Sequence, residues 1–245
     1  MDINGKTILV SGASRGLGRT LVSAFAKAGA KKVFAGARQH KDIEALQHDA
    51  RTIGASIHPI KLDVTNEDEV EGTVSLGPVD VLVNNAGVAG YGDPTLVDLS
   101  DARREMEVNY FGALRLTRVL VPGMLERGEG MIVNVATAFA MINLPIVATY
   151  CASKAALLSL GQALRAYLAE KGIHVMTVMP TTIDTDMSKG ADVPKMTTHF
   201  VASEILRHIR EESIDPPIGE EAGRVLAGVR NDPIGLEKML SQIKA

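Results

Sequence analysis

The sequence has a single cysteine, and this scarcity excludes two kinds of structural support. Of the 245 residues only Cys151 carries a thiol, so no intrachain disulfide can form. The thiols are also too few for a structural zinc site, and we expect no bound metal. Stability must come from hydrophobic side chains, which make up 46% of the residues. That fraction suffices for the core of one large domain.

The sequence also lacks an excess of charge of either sign. It has 26 basic and 29 acidic residues, a formal net charge of -3, and both signs are mixed along the chain. Surfaces that bind nucleic acid need a basic patch or stripe. We therefore expect no nucleic-acid partner.

Long apolar runs are absent as well. The N-terminal stretch MDINGKTILV places Asp2 early, which does not fit the apolar core of a signal peptide. No run approaches the roughly 20 apolar residues that a membrane-spanning helix needs. We therefore expect a cytoplasmic protein with no membrane partner.

What the sequence does contain is a regular alternation of two kinds of segment. Six short runs are nearly continuously apolar, as is typical of strands buried on both faces of a parallel sheet. The predicted strands are Thr7–Val10, Lys32–Ala35, Ser56–Leu62, Val79–Val83, Met131–Val135 and His174–Val178.

Longer amphipathic stretches separate these runs and predict helices. They are Leu17–Lys27, Asp42–Ile53, Ser100–Val121 and Tyr150–Glu170, followed by a tail helix around Ala202–Arg210, a break at Pro216-Pro217 and two more helical pieces. Strand–helix alternation implies right-handed βαβ units. The predicted fold class is α/β: a single doubly wound Rossmann-type domain over residues 1–245, with a mainly parallel sheet and helices on both faces.

Residues 180–200 interrupt the alternation. From Pro180 to His199 the chain is rich in Thr, Asp, Met and Lys and shows no clear period. Long loops beyond strand ends often cover a substrate in such folds. We predict a substrate loop here.

The first predicted strand runs directly into a glycine-rich turn, SGASRGLGRT. Glycine permits a positive φ and lets a pyrophosphate approach the backbone closely. Glycine clusters are common in βα turns, but the strand–turn–helix context in the first βα unit favours a dinucleotide site. The predicted cofactor contacts in this turn are Gly12, Ser14, Arg15, Gly16, Leu17 and Gly18.

The end of the second predicted strand indicates which dinucleotide is preferred. An acidic residue here would bind the adenine ribose of NAD, whereas an arginine accommodates the 2′-phosphate of NADP. The chain has Ala37 followed by Arg38, and Arg15 lies in the glycine turn. Guanidinium groups make charge-assisted contacts to phosphate. Arg38 could instead be an ordinary solvated side chain, but the pattern favours NADP (NADPH) over NAD.

Further motifs follow in a fixed order. Asp63-Val64 comes after the third strand, NNAG at Asn84–Gly87 after the fourth, Asn109 in the next helix, and YCASK at Tyr150–Lys154. With the glycine turn, this ordered set resembles the classical short-chain dehydrogenases/reductases over nearly the whole chain. The resemblance implies a homodimer or homotetramer. It also implies further cofactor contacts at Asp63, Val64, Asn85, Ala86, Gly87, Tyr150, Lys154, Pro180 and Ile183.

The Tyr-x-x-x-Lys pair suits acid–base chemistry at a carbonyl. A free tyrosine has a pKa of about 10, so a nearby ammonium must stabilise its phenolate. Tyr150 and Lys154 are one helical turn apart and share a face. The resemblance adds that Lys154 holds the nicotinamide ribose and that Asn109 anchors a proton-relaying water. The expected reaction moves a hydride between NADP(H) and a carbonyl or secondary alcohol.

One catalytic position departs from the family pattern. Where the family usually has a serine that binds the substrate carbonyl, this chain has Thr137. A threonine hydroxyl can donate and accept hydrogen bonds, while its methyl group restricts χ1 and narrows the pocket. We predict that Thr137 is catalytic, with an altered substrate range or a lower rate.

Two alternative functions and one inference about the substrate accompany this hypothesis. A weakened site would leave a cofactor-sensing or binding protein. A sugar-nucleotide epimerase also uses Tyr-x-x-x-Lys, but the glycine spacing and the short chain disfavour it. No strong positive cluster awaits an anionic substrate, which favours a moderately apolar small molecule. Apolar candidates for its pocket, which could equally be core residues, are Phe139, Met141, Ile142, Leu144 and Ile183.

Overall fold

A seven-stranded sheet forms the centre of the molecule, which a computed structural model describes over residues 1–53 and 56–243. Its order is β3-β2-β1-β4-β5-β6-β7, and each of these pairings is parallel. The strands are β1 (Thr7–Val10), β2 (Lys32–Ala37), β3 (Ile57–Lys61), β4 (Val81–Asn84), β5 (Gly130–Val135), β6 (Ile173–Pro180) and β7 (Pro217–Ile218).

The strand order reverses beside β1, and this reversal places the site. In register, Leu9 of β1 lies between Phe34 of β2 and Leu82 of β4. Ligands of doubly wound sheets bind in the crevice that opens at the carboxyl ends of the strands at such a reversal. The segments that follow β1 and β4, which carry the glycine turn and NNAG, are therefore neighbours. The predicted doubly wound α/β fold is confirmed.

Nine α-helices lie in the described part of the chain. They are α1 (Gly16–Lys27), α2 (His40–Ile53), α3 (Glu67–Glu71), α4 (Leu99–Met106), α5 (Gly112–Arg127), α6 (Ala148–Leu168), α7 (Thr198–Glu211), α8 (Glu220–Asn231) and α9 (Pro233–Leu240). Within residues 1–53 and 56–243, no helix combines the length and the apolar character needed to cross a bilayer.

Two hydrophobic layers hold these helices on opposite faces of the sheet. Leu21 and Phe25 of α1 belong to one buried cluster, together with residues of α2 and α7. Leu116 of α5 and Leu168 of α6 belong to the other, with Val70 of α3. Side chains alternate between the faces along each strand, so one strand contributes to both layers. Every central strand is thereby buried on both sides, as its apolar run indicates.

The seventh strand was missed by the sequence prediction of six. Pro217 pairs with Met179 and Ile218 with Pro180, which extends the sheet at its β6 edge. The strand has two residues and contains a proline, which is tolerated only at sheet edges. So short a segment has no detectable period, and the prolines there predicted only a break.

The predicted helix Ser100–Val121 was wrong in its continuity and its end. A π-helical turn, Glu107–Phe111, separates α4 from α5. Pro122 lies inside α5 without ending it, and the helix stops where Gly128 adopts φ 65°. Met124 is fully buried against the sheet. Its packing offsets the hydrogen bond that the proline removes, because tertiary contacts outweigh local preference in helices of this kind.

A third hydrophobic cluster joins the tail to the segment between β5 and α6. Ala222 and Val225 of α8 and Leu236 of α9 pack with Phe139 and Ile142. The tail helices thus cover the region just before Tyr-x-x-x-Lys. Both helical pieces predicted for the tail are present.

Candidate active site

The glycine turn after β1 is packed directly against the NNAG segment after β4. Gly12 has φ 66°, and a Cβ at this position would lie 2.7 Å from the Cα of Ala86. A Cβ on Gly18 would collide with the carbonyl of Gly12. Helix α1 begins here with no side-chain cap and no acidic residue in its first turn. Its free N–H groups therefore suit an anionic group such as a pyrophosphate.

The side chain of Asn85 holds this turn in shape. Its Nδ2 donates to the carbonyls of Ser11 at 2.9 Å and Gly12 at 3.1 Å. The hydroxyl of Ser11 in turn accepts from the backbone N–H groups of Asn85 and Ala86. Asn85 therefore stabilises the conformation of the turn that forms the predicted cofactor site. The sequence analysis did not predict a role for Ser11, although its position directly after β1 indicated one.

The other predicted residues of the turn differ in what they offer a cofactor. Ser14 is half-buried at the turn. Leu17 belongs to α1, and its side chain is buried in the core. A contact from this residue to a ligand would therefore come from its backbone. Arg15 is 74% exposed and pairs with Asp186 at 3.1 Å. A phosphate bound at Arg15 would compete with this carboxylate.

The end of β2 carries a small apolar residue followed by an arginine. Ala37 is buried and presents only a methyl group. Arg38 follows it at the surface. The two residues between β2 and α2, Arg38 and Gln39, include no acidic side chain.

Asp63 and Val64 lie after β3 and are fixed by local contacts. The Asp63 carboxylate accepts from the backbone N–H of Thr65 at 3.0 Å and from its hydroxyl at 2.8 Å. Val64 is buried, and a Cβ on Gly112 would strike its side chain. The contact explains why α5 starts with glycine.

Lys154 links three parts of the predicted site. Its buried ammonium donates to the carbonyl of Val135 at the end of β5, at 2.7 Å. It lies 5.9 Å from the ring centroid of Tyr150. A Cβ on Gly87 would come within 3.4 Å of it. The lysine thus joins NNAG, β5 and the tyrosine.

The environment favours a protonated tyrosine. Burial raises the pKa of Tyr150, and the neighbouring Cys151, Tyr91 and Glu105 raise it further. Burial lowers the pKa of Lys154 to about 8. At neutral pH the lysine is therefore mostly cationic and the tyrosine carries its proton.

Asn109 lies in the π-helical turn, and its side chain makes three hydrogen bonds to other segments. Its Oδ1 accepts from the backbone N–H of Val88, and its Nδ2 donates to the Val88 carbonyl, both at 2.9 Å. The same amide donates to the hydroxyl of Ser153 at 2.8 Å, and Ser153 donates to the Tyr150 carbonyl. Both N–H groups of the amide are therefore engaged within the protein, whereas its Oδ1 can accept a second hydrogen bond. π-Helical turns are frequent at functional sites.

Thr137 is buried directly after β5. Its hydroxyl donates to the carbonyl of Pro180 at 3.1 Å and accepts from the backbone N–H of Phe139 at 3.3 Å. The side chain thus ties the ends of β5 and β6 together. To donate to a substrate oxygen, the hydroxyl proton must turn away from Pro180.

The segment after β6 reaches back over the glycine turn. Ile183 is half-buried and forms a bridge with Met196. The methyl carbon of Thr185 lies 3.1 Å from the position of a Cβ on Gly16. The sequence analysis did not predict a role for Thr185, because its contact with Gly16 is a tertiary one. The segment after β6 therefore packs against the start of α1.

A comparison with known protein families identifies the family of this chain. The family profile described as short chain dehydrogenase matches residues 6–194. The chain belongs to the short-chain dehydrogenase family. Members of this family are NAD(P)-dependent oxidoreductases that act on small molecules, and the protein is an oxidoreductase of this kind.

Individual short-chain dehydrogenases extend the similarity beyond the profile. A dehydrogenase/reductase SDR family protein 7-like of Anopheles gambiae is 32% identical, with 94% of this chain and 80% of the relative covered. The ketoacyl reductase HetN of a Nostoc species is 31% identical, with 93% and 85% covered. A short chain dehydrogenase from Burkholderia cenocepacia, solved in complex with NADP, is 34% identical, with a TM-score of 0.90 and 98% and 99% of the chains covered.

The residues in the crevice fit the dinucleotide of a short-chain dehydrogenase. The turn at Gly12 leaves no space for a Cβ, and the uncapped start of α1 offers N–H groups to a pyrophosphate. When bound, the dinucleotide supplies or accepts the hydride.

Proposed function

We propose that the protein interconverts a carbonyl and a secondary alcohol on a moderately apolar small molecule, with NADP(H) as the preferred cofactor. The observation that carries this proposal is the position of Lys154, which lies between Gly87, the end of β5 and the ring of Tyr150. An ammonium 5.9 Å from the centre of the Tyr150 ring supports a role for this tyrosine as the proton donor.

Each predicted catalytic residue receives a role from its surroundings. Tyr150 gives its proton to the alkoxide that develops during reduction and takes it back during oxidation. Lys154 stabilises the phenolate and binds the cofactor ribose. Thr137 orients the substrate oxygen through its hydroxyl. Asn109 fixes the segment after NNAG and offers its backbone to a relay water.

The preference for NADP rests on the charges around the end of β2. Arg38 is exposed beside the buried Ala37, and Arg15 in the glycine turn forms an exposed ion pair with Asp186. Exposed pairs contribute little free energy, so a phosphate could displace this carboxylate. The Burkholderia relative was solved with NADP.

Replacing Arg38 by Ala should weaken NADPH binding by about 10–100-fold, the loss expected for charge-assisted hydrogen bonds to one phosphate. NADH, which lacks the 2′-phosphate, should bind as before. Fluorescence titration with each reduced cofactor measures both constants. The matched control is Arg51→Ala, because Arg51 is exposed at the far end of α2, the helix that begins just after Arg38. Equal losses for NADPH and NADH would contradict the assignment.

We propose that residues 180–200 cover the bound substrate. Phe139 and Ile142, two of the apolar pocket candidates, are buried against the tail helices instead. Met141 is 41% exposed and Ile183 half-buried, so these two remain available to an apolar substrate. The hydroxyl of Tyr91 donates to the Met187 carbonyl at 2.9 Å and holds the loop to the segment after β4.

A panel of ketones, aldehydes and secondary alcohols tests the proposed reaction. Each compound is incubated with NADPH or NADH for reduction, or the oxidised forms for oxidation, and the absorbance of the reduced cofactor is followed. We expect turnover of apolar compounds with the NADP pair. Tight NADPH binding without turnover of any compound would favour a cofactor-sensing protein, for which the engagement of Thr137 with Pro180 is the structural argument.

We infer three broader properties from the sequence. Residues 1–245 form one domain, the active form is a homodimer or homotetramer, and the protein acts in the cytoplasm. Light scattering coupled to size-exclusion chromatography tests the oligomeric state directly.

A further inference from the structure

The turn Asp186–Ser188, in the predicted substrate loop of residues 180–200, contacts segments that follow two other strands. The Asp186 carboxylate pairs with Arg15 of the glycine turn, after β1, at 3.1 Å. The carbonyl of Met187 accepts from the hydroxyl of Tyr91, after β4, at 2.9 Å. In the sheet, β5 and β4 lie between β6 and β1. The loop therefore extends along the carboxyl edge of the sheet from β6 to the glycine turn.

Hydrogen bonds within the loop give this turn its shape. The hydroxyl of Ser188 donates to the carbonyl of Ile183 at 2.7 Å and accepts from the backbone N–H of Thr185 at 3.3 Å. Ser188 is buried, whereas the side chain of Asp186 is 65% exposed. The bonds that shape the turn do not involve the Asp186 carboxylate, so we expect the turn to stay folded when that carboxylate is replaced.

Arg15 lies close to the end of β2, where the 2′-phosphate is proposed to bind. The backbone N–H of Ala13 donates to the carbonyl of Gly36 at 2.8 Å, which joins the glycine turn to β2. Arg15 follows Ala13 by two residues, and Arg38 follows Gly36 by two residues. Since two residues span at most about 7 Å, both long side chains can reach a phosphate that lies between them.

Asp186 and a phosphate would need the same guanidinium group. Arg15 donates to Asp186 through its Nη1, and a guanidinium also binds phosphate best through paired N–H donors. Two anions on one guanidinium repel each other. A phosphate at Arg15 therefore either displaces the carboxylate or binds less tightly beside it.

We propose, on the basis of the proposed function, that Asp186 is a specificity-determining residue that competes with the 2′-phosphate of NADP(H) for Arg15. The competition lowers the affinity for NADP(H) and leaves the affinity for NAD(H), which lacks this phosphate, unchanged. It thereby reduces the preference for NADP that Arg15 and Arg38 create. Because Asp186 belongs to the substrate loop, binding of NADP(H) also releases one contact between this loop and the glycine turn.

Fluorescence titration of the full chain with NADPH and with NADH tests this competition. Asp186→Asn keeps the size of the side chain and removes its charge. We expect the Kd for NADPH to fall by about 2–5-fold, the range that corresponds to an exposed ion pair, and the Kd for NADH to stay the same. Thermal melting shows that the variant is folded. An unchanged Kd for NADPH, or an equal gain for both cofactors, overturns the inference.

A double-mutant cycle shows whether Asp186 acts through Arg15. The Asp186→Asn substitution is repeated in an Arg15→Ala background, where no guanidinium remains to compete for. There it should leave the Kd for NADPH unchanged. A gain as large as in the wild-type background means that Asp186 acts without Arg15, which contradicts the proposal.

Two single variants control for other effects in the same loop. Asp184→Asn removes an exposed carboxylate two residues before Asp186, and Tyr91→Phe removes the hydrogen bond to Met187. Neither should change the ratio of the two dissociation constants. If Asp184→Asn improves NADPH binding as much as Asp186→Asn does, general negative charge is responsible. If Tyr91→Phe does so, loosening of the loop is responsible. Either result overturns the inference.

Failure of this inference can be distinguished from failure of the proposed NADP preference. If Arg15→Ala and Arg38→Ala each weaken NADPH and NADH equally, the preference fails and the inference fails with it. If Arg38→Ala alone weakens NADPH selectively, the preference stands but Arg15 does not bind the phosphate, so the inference fails. If Arg15→Ala is also selective and Asp186→Asn gives no gain, the inference alone is overturned.

Discussion

Tyr150→Phe should lower carbonyl reduction by about 10²–10⁴-fold, the usual contribution of a positioned general acid. The substitution removes the transferable proton and almost no volume. Tyr150 packs beside the cluster of Phe139 and the tail helices, and phenylalanine preserves that packing. NADPH affinity should therefore change little, because the ring and Lys154 remain in place.

Initial rates on a compound that the wild type reduces, together with NADPH titration, check this expectation. Tyr167→Phe is the matched control, since Tyr167 lies near the other end of α6 and is 69% exposed. It should leave both quantities unchanged. If Tyr150→Phe keeps a substantial fraction of the wild-type rate, another group donates the proton. A loss of NADPH binding would instead point to a structural role for the hydroxyl.

Thr137→Val should lower the rate by about 10–1,000-fold, as expected when a single donor to a developing oxyanion is removed. Valine keeps the branched shape of threonine and deletes the hydroxyl. Thr137→Ser keeps the hydroxyl and removes the methyl, so it should preserve activity and admit bulkier ketones. The pair separates the role of the oxygen from that of the methyl group.

The structure adds a stability control to this experiment. In Thr137→Val the carbonyl of Pro180 and the N–H of Phe139 both lose their partner. Each of these two buried groups, once left without a partner, should lower the free energy of unfolding by about 1–3 kcal/mol. Thermal melting measures this loss, and rates are then compared at a temperature where both proteins are folded.

Three outcomes for Thr137 have different meanings. A slow valine variant with an active serine variant supports a catalytic hydroxyl. A valine variant as fast as the wild type would show that Thr137 only ties β5 to β6 and that the carbonyl is held elsewhere. If the wild type, Val and Ser proteins all bind NADPH and none reduces a carbonyl, the cofactor-sensing hypothesis gains.

The sheet could be predicted from the sequence because its strands are buried on both faces. Continuous apolar runs such as Thr7–Val10 and Met131–Val135 leave little choice of structure, and the helices between them force parallel pairing. The glycine turn and the Tyr-x-x-x-Lys pair are local patterns whose spacing follows directly from backbone geometry. The functions that these patterns indicate could therefore be predicted without knowledge of any tertiary contact.

Elements that depend on distant partners could not be predicted in this way. Pro217–Ile218 becomes a strand only because β6 offers it an edge. Helix α5 continues through Pro122, and buried residues on both sides of the proline, such as Leu120 and Met124, hold it against the sheet. Neither outcome is encoded in a local period, since each depends on residues far away in the chain.

The sequence by itself therefore determined the fold class, the family resemblance and the identity of the candidate residues. Only the tertiary structure decided how those residues are engaged: Thr137 with Pro180, Arg15 with Asp186, and Asn109 with Val88 and Ser153. The physical reason is that hydrogen bonds and charge interactions depend on distances between side chains, and folding sets those distances between residues remote in sequence.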